Sequence, residues 1–440
     1  MIFSLLLPSL FLAASTVFAQ SSSSTPTISA VGSKFFFSNG TQYYIKGVAY
    51  QLTDQDPLTD STQCKLDARQ MADLGANTIR VYHVDPTADH DGCMSAFADV
   101  GIYLFLDLDT FDTQFDQDNP YWNQTQLSAF EAVLDAFQNY DNLAGVFVAN
   151  EAMTRLNGSD AAPFVKSAIR DVKAYRDMKK YRDIPVGYSG ADIPELRPML
   201  QNFLACGDDP ADAADFFSLN VYEWCGSSTF DGSGYSHLIT NSTGVQIPIF
   251  ISETGCRIPK PRLFTDQAAI LGDDMAPYWS GAIVYEWIEE ANDYGLISYG
   301  SKTNSDNPTA LDGYPRSGTP SPVSPDYSNL KKQWATLSPS GTAMSDYTAS
   351  AKNLKAIACP TSTSGGWIVD AAQTLPSLGQ TLDKAATSTG GLGAGGKGAG
   401  ASATKKGEAG KPGYHVVEGG MFVWLWTAFV AGVGGLLIWL

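Results

Sequence analysis

The chain is poor in basic residues and histidine, and its cysteines form no metal-binding motif. Its 440 residues include 28 lysines and arginines against 46 aspartates and glutamates, which gives a formal net charge of −18 at pH 7. A chain this acidic is repelled by phosphate backbones, which excludes a nucleic-acid partner. The four histidines form no HExxH motif and the six cysteines no CxxC motif, so we predict neither a metal centre nor a cofactor. The chemistry must then rest on carboxylates, hydroxyls or amides.

The amino-terminal segment predicts secretion. Residues Ile2–Leu12 are almost wholly apolar, and Val17 and Ala19 occupy the positions of a cleavage site, so we interpret residues 1–19 as a signal peptide. The alternative is a buried first strand or helix, but a Ser/Thr-rich stretch follows at once. Secretion favours disulfides among the six cysteines, with fifteen connectivities open on sequence grounds. It also makes four sequons candidate glycan acceptors, at Asn39, Asn123, Asn157 and Asn241.

The carboxyl-terminal end predicts a membrane anchor. Met421–Leu440 is an uncharged apolar run long enough to cross a bilayer, and no basic flank follows it. A polar spacer and small residues precede it, as in tails that a GPI anchor replaces. A retained transmembrane helix is the alternative. Residues 361–420 are rich in Ser, Thr, Gly, Ala and Lys, which predicts a flexible stalk between residues 421–440 and a catalytic domain at residues 20–360.

The catalytic domain has the pattern of an α/β protein. Hydrophobic residues make up 44% of the chain, and short β-branched and aromatic runs alternate with amphipathic helical stretches. Eight strands with room for a crossover helix between them predict a (β/α)8 TIM barrel. The alternative, an open doubly wound sheet, would need a phosphate-binding glycine loop after its first strand, and none is visible. The predicted strands are Tyr43–Tyr50, Thr78–Tyr82, Tyr103–Asp107, Ala144–Ala149, Ile184–Tyr188, Phe216–Tyr222, Ile247–Ser252 and Ala282–Trp287.

Two predicted strands end in a glutamate. The fourth finishes at Asn150-Glu151 and the seventh at Ser252-Glu253, and in such a barrel catalytic groups project from the carboxyl ends of the strands. Ending a buried strand with Glu costs desolvation, which is tolerated more readily where the carboxylate has a task. The alternative for either residue is the first turn of the next helix, where the dipole favours an acid. Two carboxyl groups across a cleft are what glycosidic cleavage requires.

Five spaced segments resemble glycoside hydrolase family 72, the Gas/Gel-type β-1,3-glucanosyltransferases that remodel fungal cell walls. They are Gly47–Gln51, Asn77–Tyr82, Asn150–Glu151, Asn220–Gly226 and Ile251–Cys256. The resemblance covers about residues 28–359 and implies a (β/α)8 barrel and a retaining mechanism. With no cysteine after Cys359, the chain resembles the subgroup that lacks a carboxyl-terminal cysteine-rich glucan-binding module.

The resemblance also implies roles for individual residues. Glu151 is expected to be the general acid/base, with a raised pKa, and Glu253 the nucleophile, kept ionised by hydrogen-bond donors. The other implied substrate-binding residues are Tyr222 beside the nucleophile, Asn150 on the sugar 2-hydroxyl, Tyr82, Asp107 and Tyr285 along the glucan cleft, and Gln51 as a weaker candidate. The implied disulfides are Cys64–Cys93, Cys206–Cys359 and Cys225–Cys256.

Three functions follow from these expectations. The first is a β-1,3-glucanosyltransferase acting on donor and acceptor glucan chains, as a monomer anchored through GPI at the outer face of the plasma membrane and in the cell wall. The second is a retaining β-1,3-glucanase, and the third is a glucan-binding wall protein on an inactive barrel. Transfer requires that water be excluded, for which Tyr285, Tyr294 and Trp287 are candidates. We interpret His83 as structural, and the acidic clusters at residues 109–116 and 286–290 as solvated loops.

Overall fold

The computed structural model describes residues 25–207, 209–303, 310, 312–351, 357–364, 366–370 and 372–382. The predicted signal peptide, the apolar tail at residues 421–440 and the stalk beyond residue 382 lie outside the described residues. Within those ranges, no helix has both the length and the apolar character needed to span a membrane.

A short hairpin precedes the barrel and closes its amino-terminal end. It consists of β1 (Ile28–Val31) and β2 (Lys34–Phe37), which pair antiparallel. The ring of Phe35 lies 5.7 Å from that of Phe105, measured between centroids. The sequence analysis did not predict this hairpin, because it lies outside the alternating strand and helix pattern.

Eight parallel strands form a closed barrel, which confirms the predicted fold class. Each strand pairs with its neighbour in sequence, and the last pairs with the first. All carboxyl ends therefore meet at one mouth. The strands are β3 (Ile45–Ala49), β4 (Thr78–Val81), β5 (Tyr103–Asp107), β6 (Leu143–Asn150), β7 (Val186–Ala191), β8 (Phe216–Asn220), β9 (Ile249–Thr254) and β10 (Gly281–Val284).

Helices follow the barrel strands on the outside. The first illustrates the local signals: the Asp60 side chain accepts hydrogen bonds from the first-turn N–H groups of Thr62 and Gln63, and Gly75 ends the helix with a φ of 95°, a conformation that glycine adopts without strain. The helices are α1 (Ser61–Leu74), α2 (Asp91–Ala98), α3 (Gln124–Phe137), α4 (Ala162–Met178), α5 (Arg197–Ala205), α6 (Tyr235–Ser242), α7 (Asp266–Ile270), α8 (Asp326–Thr336) and α9 (Met344–Ala351). A 3-10 helix (Leu156–Ala161) precedes α4, and a small antiparallel pair, β11 (Ile297–Ser298) and β12 (Ser321–Pro322), lies between β10 and α8.

The interior of the barrel has two layers of opposite character. Toward the amino ends of the strands, fully buried aromatic rings pack together: Phe35, Phe105, Phe147, Phe216 and Phe250. Toward the carboxyl ends, the buried side chains are polar or charged. Arg80 marks the boundary, since its guanidinium lies 4.4 Å from the ring centroid of Phe147 below it.

Three disulfides fix the loops and the carboxyl-terminal end of the folded unit. Cys64–Cys93 joins α1 to α2, Cys225–Cys256 joins the segments after β8 and β9, and Cys206–Cys359 ties the carboxyl-terminal segment to the end of α5. These are the pairs that the resemblance implies. The second bridge restrains the two segments that directly follow Tyr222 and Glu253.

The folded unit extends beyond the boundary predicted at residue 360. Trp367 is fully buried and its ring lies 5.5 Å from that of Phe203, while the N–H of Gly379 donates to the carbonyl of Trp122 at 2.7 Å. The described part of residues 361–382 therefore packs on the barrel and is not part of a free stalk. Composition indicated a stalk because a single anchoring tryptophan contributes little to an average over Ser, Thr and Gly.

Candidate active site

Arg80 organises the polar layer at the mouth. This residue of β4 is fully buried, and its Nε and Nη2 donate to the two carboxylate oxygens of Asp107 at 3.0 and 2.7 Å. Nη2 also donates to Oδ1 of Asn150 at 3.0 Å, and Nη1 lies 3.4 Å from Oε1 of Glu253. The sequence analysis gave this arginine no role, although an arginine within an apolar strand was the signal for it: a buried guanidinium requires carboxylate or amide partners.

Glu253, on β9, is surrounded by hydrogen-bond donors. The hydroxyl of Tyr82 donates to Oε1 at 2.9 Å and that of Tyr222 to Oε2 at 3.0 Å, in addition to the contact with Arg80. Burial nevertheless raises the pKa of Glu253 to about 7, while the charge of Arg80 and the two hydroxyls act in the opposite direction. The expected donors are thus in place, but the cost of burying the charge exceeds their effect.

Glu151 directly follows β6 in a strained backbone conformation. Its φ is 49°, the left-handed region that non-glycine residues rarely adopt, and its N–H donates to the carbonyl of Ser189 at 2.8 Å. The Oε1 atom accepts a hydrogen bond from Nδ2 of Asn220 at 2.8 Å. Burial raises the pKa of Glu151, and the hydrogen bond from Asn220 partly offsets that rise. A raised pKa favours the protonated form, which a general acid requires.

A continuous hydrogen-bond network joins the two glutamates. Asn220 donates to Glu151 and also to Oδ1 of Asn150 at 3.1 Å, and Asn150 accepts from Arg80, which in turn contacts Glu253. The negative charge of Glu151 contributes to the raised pKa of Glu253, so the carboxyl groups interact electrostatically. Glu151 follows β6 and Glu253 lies near the carboxyl end of β9, so both belong to the same mouth of the closed barrel. Asn220 was part of a quoted motif, but the sequence analysis gave it no role of its own.

The predicted substrate-binding residues divide into two groups. Tyr82 and Tyr222 contact Glu253, and Asn150 keeps its Nδ2 without an acceptor among the described residues. Gln51 instead accepts from the N–H groups at positions 82 and 83 through Oε1 and donates through Nε2 to two carbonyls of its own loop. Asp107 is likewise occupied by Arg80. In this structure the side chains of Gln51 and Asp107 hold neighbouring residues in position.

Tyrosine rings form one side of the mouth. Tyr294 lies 5.4 Å from Tyr285 and 5.9 Å from Tyr222, measured between ring centroids, and both contacts are edge to face. Trp287 does not belong to this group, because it is fully buried and its Nε1 donates to the hydroxyl of Tyr299. Of the three aromatic residues considered for excluding water, the two tyrosines are at the mouth and the tryptophan is in the core.

The acidic clusters are not simply solvated loops. Glu286 and Asp109 are each only 3% exposed. Glu286 accepts a hydrogen bond from Asn292 at 2.6 Å, and burial raises its pKa well above the ordinary value. Burial raises the pKa of Asp109 in the same way, and the adjacent charge of Asp107 adds to the effect. The interpretation as solvated loops is wrong for these two residues, whose side chains are enclosed at the ends of β10 and β5.

Two of the four predicted glycan acceptors are exposed and two are partly covered. Asn39 and Asn157 are exposed, whereas Asn123 and Asn241 are half-buried. The Oδ1 atom of Asn123 also accepts the first-turn N–H of α3. Glycosylation at these positions stays a prediction.

Comparison with known proteins identifies the family. Residues 17–316 match glycoside hydrolase family 72, described as glucanosyltransferase. Protein EPD1 of Candida maltosa is 40% identical over 371 residues, which cover 82% of this chain and 64% of that protein. The 1,3-beta-glucanosyltransferase gas2 of Schizosaccharomyces pombe is 40% identical over 351 residues, or 76% of this chain and 72% of that protein.

A solved structure has the same fold. Saccharomyces cerevisiae Gas2p, as a mutant in complex with laminaritetraose and laminaripentaose, superposes with a TM-score of 0.69 at 37% identity, covering 79% of this chain and 75% of that chain. The matched region thus spans 64% to 75% of the length of these relatives. The chain belongs to the glucanosyltransferase family, glycoside hydrolase family 72.

Proposed function

We propose that the chain is a retaining β-1,3-glucanosyltransferase. The observation that carries this proposal is the environment of Glu253: three donors, Arg80, Tyr82 and Tyr222, converge on its carboxyl group, and one hydrogen-bond network links it to a second carboxyl group, that of Glu151. Family membership and the names of the relatives support the choice of β-1,3-glucan as substrate.

In the first step Glu253 attacks the anomeric carbon of an internal glucan linkage. The bond from that carbon to the glycosidic oxygen breaks, and Glu151 gives its proton to the departing oxygen, which leaves as a hydroxyl. A covalent glycosyl ester forms on Glu253. Tyr82, Tyr222 and Arg80 hold the carboxylate in one orientation, so little reorganisation is needed at the moment of attack.

In the second step the non-reducing end of another glucan, and not a water molecule, attacks the glycosyl ester. Glu151, now a carboxylate, takes the proton of the acceptor hydroxyl as that oxygen attacks the anomeric carbon, and the ester bond to Glu253 breaks. Both carboxyl groups return to their starting states. Asn150 supplies its Nδ2 to the sugar 2-hydroxyl, while its Oδ1 accepts from Arg80 and Asn220, and the contact with the sugar strengthens as positive charge develops on the ring.

The competing reaction is hydrolysis, and the product sizes decide between them. Full-length protein is incubated with reduced laminarioligosaccharides and the products are separated by size. We expect products longer than the donor. Shorter products alone would identify a retaining β-1,3-glucanase, and an unchanged donor would identify a glucan-binding wall protein; the presence of both glutamates argues against the last reading.

The site of action that we propose is extracellular. The three disulfides support a secreted protein, and relatives named 1,3-beta-glucanosyltransferases support action on glucan. GPI anchoring rests on the sequence of residues 411–440 alone. Phosphatidylinositol-specific phospholipase should release the protein from membranes; protein that stays bound after this treatment would favour a retained transmembrane helix.

A further inference from the structure

An aromatic pair at the mouth has no part in the mechanism described above. His83 directly follows Tyr82, and Phe111 lies in the loop after β5. Their ring centroids are 4.2 Å apart and the ring planes are inclined by 41°. Phe111 is 60% exposed, whereas His83 beneath it is half-buried. The sequence analysis interpreted His83 as structural because no partner for it was evident.

Hydrogen-bonded backbone holds both rings in place. Phe111 occupies a turn in which the N–H of Thr110 donates to Oγ1 of Thr113 at 2.8 Å and the N–H of Thr113 donates back to the carbonyl of Thr110. Nε2 of Gln126, on α3, donates to the carbonyl of Thr113. The N–H of His83 donates to Gln51. Phe111 is therefore presented to solvent by a fixed turn, and binding against it requires little further ordering of the chain.

The position of the pair relative to the glutamates suggests its ligand. His83 is one residue from Tyr82, whose hydroxyl contacts the nucleophile. The pair lies at the carboxyl ends of β4 and β5, while Tyr222 and Tyr285 lie at the ends of β8 and β10. Aromatic side chains thus occupy two separate sectors of the mouth, and Glu253 accepts a hydrogen bond from a tyrosine of each, Tyr82 after β4 and Tyr222 after β8. A glucan chain crossing the mouth has sugar rings on both sides of the bond that breaks.

The local charge fits a neutral ligand. Burial lowers the pKa of His83 below its ordinary value, so the imidazole is uncharged near neutral pH. Asp54 and Asp112 are exposed nearby on the adjoining loops, and their charges disfavour anions. A sugar ring is uncharged and presents an apolar C–H face to an aromatic plane.

We propose that Phe111, supported by His83, is a sugar-stacking subsite that binds a β-1,3-glucan chain on the β4 and β5 side of the mouth. This proposal rests on the function proposed above. The subsite increases affinity for chains long enough to reach it and leaves the bond-breaking step to the glutamates. It predicts a preference for longer oligosaccharides that depends on one exposed ring.

The test measures binding without turnover. Full-length protein carrying Glu253→Gln is titrated with laminarihexaose by calorimetry, and the same titration is repeated after adding Phe111→Ala. We expect Phe111→Ala to weaken binding about five- to tenfold, and Phe111→Tyr to restore it. Tyr278→Ala is the matched control: Tyr278 is 49% exposed but precedes β10, at the opposite end of the barrel, and its loss should leave the affinity unchanged.

The outcomes separate the two proposals. Equal binding with and without Phe111, alongside normal binding by the parent Glu253→Gln protein, would overturn the subsite and leave the proposed function standing. A parent protein that binds no laminarihexaose would overturn both. In protein that retains Glu253, Phe111→Ala should raise KM by the same factor for laminarihexaose with kcat unchanged, whereas a purely structural role would lower activity toward short and long oligosaccharides alike.

Discussion

The aromatic layer and the charged layer of the barrel interior are built from the same strands but have different roles. On β5, Phe105 belongs to the lower, aromatic layer and Asp107, two residues later, to the upper, charged layer. On β8, Phe216 and Asn220 are divided in the same way. The lower layer buries apolar surface and stabilises the fold, whereas the upper layer buries carboxyl groups at a cost and provides the chemistry. Stability and reactivity are thus separated along each strand.

Glu253→Gln should give the largest separation of the two properties. The amide cannot attack the anomeric carbon, so we expect kcat to fall by about a thousandfold or more while the fold persists, because the change is nearly isosteric. Transfer rates and circular dichroism on the same preparation measure both. Glu195→Gln, at an exposed position, is the matched control and should keep normal activity. Near-normal turnover by Glu253→Gln would refute its assignment as nucleophile.

Phe216→Ala should lower the stability and leave the activity of the folded protein close to normal. Phe216 is fully buried and packs against Phe35, Phe105, Phe147 and Phe250, so its truncation should lower the free energy of unfolding by about 3–5 kcal/mol. At temperatures where the variant is folded, kcat should stay close to normal. Urea unfolding and transfer assays test this. A variant of unchanged stability that loses activity would contradict the division into layers.

Arg80→Met tests the boundary between the layers. It leaves Asp107 buried without its cation and removes a donor from Glu253, so we expect both a loss of about 3–5 kcal/mol in stability and a fall in kcat. Combining Arg80→Met with Asp107→Leu should recover part of the stability, because the carboxylate that pairs with Arg80 in bidentate fashion is no longer buried without its cation, but not the activity. Recovery of activity in the double variant would mean that Arg80 does not act on the glutamates.

The smallest predicted effect is a pH-dependent difference in stability between Glu253→Gln and the parent protein. The folded protein raises the pKa of Glu253 from 4.5 to about 7. The contribution of the protonated Glu253 to the free energy of unfolding is therefore fully present below pH 4.5 and is lost as the pH rises through 7. Glu253→Gln removes that loss, so above pH 7 the variant should be more stable than the parent by up to about 3 kcal/mol. Urea unfolding at pH 4.5, 6 and 8 measures the difference, with Glu195→Gln again as control. A difference that does not grow with pH would show that burial leaves Glu253 unperturbed.

The sequence was most informative where a local pattern carried the signal. All eight barrel strands follow from runs of apolar residues, and Glu151 and Glu253 follow from the polar residues that end two of them. The resemblance to the family supplied the roles and the disulfide pairs. These predictions depend on neighbours in sequence or on spaced motifs.

What the sequence did not reveal depends on partners from distant strands. Arg80 is tolerated in the barrel because Asp107 and Glu253 compensate its charge, and no local pattern shows that pairing. Charge clusters are usually solvated, so the burial of Glu286 with Asn292 was not expected. Trp367 is buried and packs against Phe203 of α5, a contact between residues far apart in sequence.

The central claim is that Glu253 forms a covalent bond to the donor sugar, and trapping that bond tests it most directly. Full-length protein is treated with a 2-deoxy-2-fluoro laminarioligosaccharyl fluoride, which forms the glycosyl ester faster than it is released, and the labelled peptide is sequenced by mass spectrometry. We predict one sugar label on Glu253 in the parent protein and none in Glu253→Gln. A label on Glu151 or elsewhere, or full inactivation without any covalent adduct, would contradict the account.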